Sequence, residues 1–210
     1  TDRDPQSETF GNAVNKAYQA MIFDHPERFW FRKESSIFGY YYPSLPDKDG
    51  EYTVEFCLTE AYTDYETEMT RFNEAVDLFF SDMDLTQPQP VLALQIHDKL
   101  MEMVTYDDVL ADTFREGGNG SFDYGYTAYG ALVANSRGEA HTAVCDGYSY
   151  AYEYLLQQAG ITAARIGGKA GDTAETAYPH SWNLVNLDGE WYETDVTWDD
   201  KEITVDPGDR

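Results

Sequence analysis

The chain is short of cysteine, positive charge and long apolar runs, and each shortage excludes something. Its 210 residues carry two cysteines, Cys57 and Cys145, too few for the disulfide framework of a small secreted scaffold. A single Cys57–Cys145 bridge stays open as an alternative, and it would remove Cys145 from any thiol chemistry. Lys and Arg total 14 against 39 Asp and Glu, giving a formal net charge of −25. Such a surface repels phosphate backbones and anionic headgroups, so no nucleic acid and no acidic membrane surface is expected as a partner. The acidic residues are spread along the chain, which reads as a solvated face and not a tail. No stretch approaches the roughly 18 apolar residues of a spanning helix, so no membrane insertion is expected. The opening TDRDPQSETF is neither basic nor apolar, and any secretion signal is expected to have been removed or to lie outside this chain. P-loop, dinucleotide-binding and zinc-ligand patterns are missing, so no cofactor and no metal is expected. Asp107-Asp108 and Asp199-Asp200 lack calcium-loop spacing and read as solvated acidic pairs.

What is present suits a packed α+β protein. Aromatic residues make up 15% and hydrophobic residues 42% of the chain, enough apolar surface to exclude disorder and to build one core, with or without a satellite region. Residues 9–23 read as a helix with Phe10, Val14, Ala17, Tyr18 and Met21 on one stripe. DHPERFWF follows as an irregular packed segment. SIFGYYYPSL and EYTVEFCL read as two strands around a PDKDG turn. Further helices are expected over 66–80, with Met69, Phe72, Ala75, Val76, Phe79 and Phe80 on its stripe, and over 91–104, carrying Leu94, Ile96, Leu100, Met101 and Val104. The Pro-rich break SDMDLTQPQP places a boundary near residue 85, between an N-terminal region (1–85) and a core domain (86–210). Residues 107–139 give no regular pattern beyond a Gly-rich loop and a short helix in TAYGALV. ITAARIGG reads as a strand, followed by a polar loop, GKAGDTAETAYP, bordering a site.

The helix beginning at TAVCDGYSYAYEYLLQQAG is the clearest element. Tyr148, Ala151, Tyr152, Leu155, Leu156 and Ala159 share one face at 3.6 periodicity, and Gly160 supplies the stop. Cys145 or Asp146 caps its start, so the Cys145 sulfur lies in the first turn, where unpaired N–H groups favour a thiolate. The alternative is a small buried hydrophobe.

HSWNLVNLDGEWYETDVTWDD bears on that choice without closing it. Asp188-Gly189 between two alternating runs is a two-residue hairpin turn, since both positions need positive φ. Its register, carried outward, puts Trp182 opposite Asp195 and His180 opposite Thr197. All four then emerge on one face, and His180 and Asp195 are diagonal neighbours roughly 7 Å apart between Cα atoms. A thiol at a helix start with a His–Asp pair on adjacent strands is the set that nucleophilic thiol chemistry needs. Trp182 and Trp198 either shield that pair, bind an acyl chain or pack the core. His97-Asp98 in IHDKL and His141 read as packing and loop residues near the site.

AVCDGYSYAYEYLLQQAGI, HSWNLVNLDGEWYETDVTWDD and IHDKLMEMVTYD together resemble the bacterial transglutaminase-like (papain-like thiol) superfamily over about residues 91–200. AYQAMIFDHPERFWF also resembles segments preceding this core in extracytoplasmic members. The resemblance implies an α+β papain-like core with Cys145 as nucleophile, His180 as base and Asp195 as orienting acid. It implies acyl transfer on a peptide or protein substrate, as a peptidase or amidase or as a transglutaminase, in an extracellular or cell-envelope setting. The pattern departs at the oxyanion hole: many papain-like enzymes carry Gln six residues before the Cys, and here Glu139 stands there. Tyr129 is the substitute donor expected, and Trp182 a substrate contact. The rival expectation is a catalytically silent member of the same fold serving as a binding module.

Overall fold

The computed structural model describes residues 8–32, 38–41, 48–49, 53, 55–58, 65–115, 122–171, 173, 175 and 177–200. Helix α1 (Glu8–Asp24) buries Val14 and Tyr18 of its expected stripe and runs into a kinked 3₁₀ segment, Pro26–Arg32. Strands β1 (Phe38–Tyr41) and β2 (Glu55–Leu58) pair antiparallel, with Cys57 opposite Gly39. Helix α2 (Tyr65–Phe80) buries Phe72, Val76 and Phe79. The Pro-rich break then turns the chain into α3 (Gln89–Met103), started by Pro88 and Pro90. Here the expected stripe is rotated: Leu94 is 59% exposed, while Leu92, Ala93, Ile96, His97 and Leu100 face inward.

β3 (Thr105–Tyr106) leads into α4 (Asp108–Arg115), a helix that the hydrophobic pattern does not announce. Asp107 starts it by accepting from the Leu110 N–H at 2.9 Å, and an Asp three residues before the first buried leucine was the available signal. Residues 116–121 of the Gly-rich loop and parts of the loop at 171–177 lie outside the described residues. A 3₁₀ turn at Tyr124–Tyr126 and α5 (Ala128–Leu132) follow. β4 (Thr142–Ala143) pairs parallel with β3, Tyr106 opposite Ala143.

α6 (Cys145–Gln158) is the centre of the molecule. Tyr148, Ala151, Leu155 and Leu156 are fully buried as the stripe requires, but Ser149, Tyr150 and Glu153 are buried as well. The helix is therefore covered on more than one side. The α5 segment, α3 and the sheet all pack on it, and the Tyr152 hydroxyl reaches across to donate to the Ala93 carbonyl at 3.1 Å. Gly147 permits a close approach: a Cβ there would sit 2.6 Å from the Gly125 carbonyl oxygen. Phe29, Trp30, Phe72, Val76 and Phe79 join the same core, so the segments before residue 85 bury their apolar side chains against those after it.

Three strands complete the fold: β5 (Ala163–Ala170), β6 (Tyr178–Leu187) and β7 (Glu190–Thr194), antiparallel with β6 in the middle. Asp188 and Gly189 both have positive φ, and the hairpin runs from Leu187↔Glu190 to Asn183↔Thr194 in the expected register. The ladder ends there. Asp195 does not continue it opposite Trp182, because it starts the short helix α7 (Val196–Asp199), accepting from the Trp198 N–H at 3.1 Å.

Candidate active site

Cys145 opens α6, with Val144 as the capping residue and no side-chain cap, so neither Cys145 nor Asp146 is the cap the sequence suggested. It is a free thiol, and the Cys57–Cys145 bridge is excluded. His180 lies on β6 opposite Gly168, only 4% exposed. Its Nε2 lies 2.6 Å from Asp195 Oδ2. The His–Asp contact expected from the hairpin is therefore present, but it is made from a helix cap and not from a paired strand position. With Nε2–H donating to the carboxylate, Nδ1 is left as the ring's basic nitrogen. Two indoles flank the imidazole: Trp198 stacks at 4.7 Å between centroids and Trp182 lies near-parallel at 6.0 Å.

Cys145 and His180 both line one cavity of about 520 Å³. Its walls come from β3 (Tyr106), α4 (Ala111, Phe114, Arg115), the 3₁₀ turn (Tyr126), β5 (Arg165, Gly167, Gly168) and β6 (Tyr178 to Ser181). Asp146, Arg165 and Ser181 form a polar group at its edge: the Arg165 guanidinium and the Ser181 hydroxyl both bind Asp146 Oδ1. Arg165 also lies over the Tyr150 ring, 4.7 Å from its centroid.

The thiol's environment reverses one expectation. Burial first, and the neighbouring Asp146 carboxylate next, push the Cys145 pKa up to about 12. The Ser181 N–H, Arg165 and the Asp146 N–H act in the opposite direction and do not offset this. Desolvation of a thiolate outweighs the dipole of the first helical turn. Among the described residues no hydrogen bond joins Cys145 to His180. The upward shift favours the protonated thiol.

The other sequence candidates go elsewhere. Tyr129 is buried on α5 among the rings of Phe29 and Tyr124, each 4.7 Å away, and its hydroxyl pairs with Arg71. It does not line the cavity, because the one turn of α5 directs it into the core. Trp182 is likewise absent from the cavity wall; it lies across Gly168, where a Cβ would meet its ring at 2.6 Å. The Glu139 carboxylate is held below the usual range by Arg137 and Asn135, outside the cavity. His141 turns back, its Nδ1 3.2 Å from the Ala131 carbonyl. His97 sits under α7, with Nδ1 2.9 Å from Asp98 Oδ1 and Nε2 3.3 Å from Asp199 Oδ2. The second approach lacks hydrogen-bond alignment. Tyr106 and Tyr126 are cavity residues that no sequence pattern marks; only the β3–β4 pairing brings Tyr106 there. Among the described residues no cluster suits a metal ion, and no helix is long and apolar enough to cross a membrane.

A helix with a cysteine in its first turn, packed on an antiparallel sheet that carries His180, with Asp195 at the start of the helix that follows, is an α+β arrangement. Solved structures with a similar chain path include a TGase, with a TM-score of 0.49 at 16% identity, covering 82% of this chain and 47% of that one. A candidate cysteine protease from Cytophaga hutchinsonii gives 0.39 at 13% identity over 78% and 63%. The periplasmic domain of TgpA from Pseudomonas aeruginosa, solved with ethylmercury, gives 0.28 at 14% identity over 71% and 57%. The chain spans less than two thirds of the length of each. No protein-family model and no curated protein matches it.

Proposed function

We propose that the chain is a transglutaminase-like thiol enzyme that transfers acyl groups from peptide or protein amides through Cys145, His180 and Asp195. One observation carries this reading: Cys145 and His180 share one cavity while Asp195 holds the far nitrogen of the imidazole. With the thiol pKa raised by burial, His180 acts as a general base during attack. Its Nδ1 takes the thiol proton as the sulfur–carbon bond forms, so a buried thiolate never has to exist without its carbonyl partner. The imidazolium is stabilised by Asp195 and then protonates the departing amine. Water as the second nucleophile gives a peptidase or amidase, and we favour hydrolysis; an amine gives a transglutaminase. An extracellular or envelope setting belongs to the same reading, supported by the likeness of AYQAMIFDHPERFWF to segments of extracytoplasmic members.

A silent binding module is the second reading, favoured by the raised thiol pKa and the missing Cys145–His180 hydrogen bond. The experiment is acylation by p-nitrophenyl acetate, followed by the burst of p-nitrophenolate and the mass of acetylated Cys145. The enzyme reading expects a burst in the parent protein, none in Cys145→Ala, and a rate lower by roughly 100-fold or more in His180→Ala. A Cys145→Ala protein with the full burst refutes it. Adding methylamine to the acylated protein then separates transfer from hydrolysis.

A further inference from the structure

The attack of Cys145 on a carbonyl makes an oxyanion, which needs donors aimed at it. One is the backbone N–H of Cys145, which as the first residue of α6 has no partner within the helix. Tyr129, the side chain that sequence suggested as a second donor, is engaged outside the cavity, and so is Glu139, which stands where many papain-like enzymes carry Gln.

Tyr106 is held where they are not. Across the parallel β3–β4 pair it stands opposite Ala143, two residues before Cys145. The backbone on either side of it is bonded to the same strand, Thr105 N–H to the His141 carbonyl at 2.8 Å and Asp107 N–H to the Ala143 carbonyl at 3.0 Å. Its ring packs on that of Tyr148, three residues after Cys145, at 6.5 Å. Tyr106 therefore brackets the first turn of α6 from both sides of the cysteine. The next residue, Asp107, is buried and bound to Asn135 at 3.0 Å and to Arg137 at 2.7 Å, so this strand end is rigid. The Tyr106 side chain faces the cavity, and its hydroxyl has no hydrogen-bond partner among the described residues. Burial raises its pKa, with charge on Cys145 as the next cause; the hydroxyl stays protonated and able to donate.

We propose that Tyr106 is a further catalytic residue, whose hydroxyl donates to the acyl oxygen as Cys145 attacks and completes an oxyanion hole with the Cys145 N–H. This rests on the acyl-transfer reading above. In the step, the sulfur–carbon bond forms, the thiol proton passes to His180 Nδ1 and the carbonyl π pair moves to oxygen. Collapse re-forms the carbonyl and expels the leaving group.

Two reactions of the same thiol test it. Acylation by p-nitrophenyl acetate passes through the oxyanion, whereas alkylation by iodoacetamide displaces iodide at a saturated carbon and makes none. Tyr106→Phe keeps the ring and should slow acylation by roughly 100-fold while leaving the alkylation rate of Cys145 unchanged. Tyr192→Phe, on exposed β7 outside the cavity, should change neither. Equal slowing of both reactions in Tyr106→Phe would overturn the proposal, since the residue would then act on the thiol or the fold. Unchanged acylation would overturn it too. An unacylated parent protein, or a Cys145→Ala variant with the parent's burst, would bring down the acyl-transfer reading itself, a failure visible before Tyr106 is altered.

Discussion

Glu153 lies on α6, two turns beyond Cys145, and is 2% exposed. Its Oε1 is 3.3 Å from the Gln157 amide nitrogen, its carboxyl accepts from the Arg165 N–H, and its Oε2 has no partner. Burial, reinforced by Asp24, pushes its pKa from an ordinary 4.5 up to about 8. The native state thus keeps a proton that the unfolded chain releases between pH 4.5 and 8. The linkage sign follows: this group leaves stability untouched below about pH 4.5, and stability falls as pH rises until it levels off above 8. A shift from 4.5 to about 8 corresponds to at most roughly 5 kcal/mol, and relaxation around a charged Glu153 reduces it. Glu153→Gln removes the titration and keeps the shape. Urea denaturation at pH 5 and pH 8 should show the variant losing less stability than the parent across that interval, by a few kcal/mol. Comparing the two proteins cancels the repulsion common to all the other carboxylates. Parallel pH dependences would refute the reasoning and mean that water or a further polar group solvates the carboxylate. Because Arg165 also holds Asp146 beside the thiol, the pH 8 state is where Cys145 acylation should respond to Glu153→Gln as well.

Gly168→Ala places a Cβ 2.6 Å from the Trp182 ring, which must move off the imidazole's flank; urea denaturation should show a loss of about 1–3 kcal/mol, and Trp emission should shift to the red. An unchanged midpoint and spectrum would show that Trp182 is not confined there. His97→Ala removes the contacts under α7, the helix that carries Asp195 and Trp198, and should cost about 1–3 kcal/mol and slow p-nitrophenyl acetate acylation. A stability loss with an unaltered acylation rate would mean that other contacts, such as the 2.8 Å Tyr148–Asp200 hydrogen bond and buried Val196, position α7.

Local pattern was enough for α1, α2, α6 and the β6–β7 hairpin, because the periods of 3.6 and 2 and the positive-φ turn at Asp188-Gly189 are written in consecutive residues. The hairpin register alone also brings His180 and Asp195 into one neighbourhood. Neighbouring residues do not state which side of an element will be covered, and α3 shows the consequence: Leu94, inward by pattern, is exposed, while His97 is buried under α7.

The sequence by itself determined that a cysteine opens a helix and that a histidine and an aspartate meet near a hairpin. Tertiary structure decided what those residues are chemically. Asp195 leaves the ladder because its side chain finds a helix start to cap, and it still reaches His180. The Cys145 pKa is raised because residues far away in the chain pack around it, and desolvation is a property of everything packed around a site. Tyr106 faces the same cavity through a two-residue parallel pairing that leaves no periodic trace in the chain.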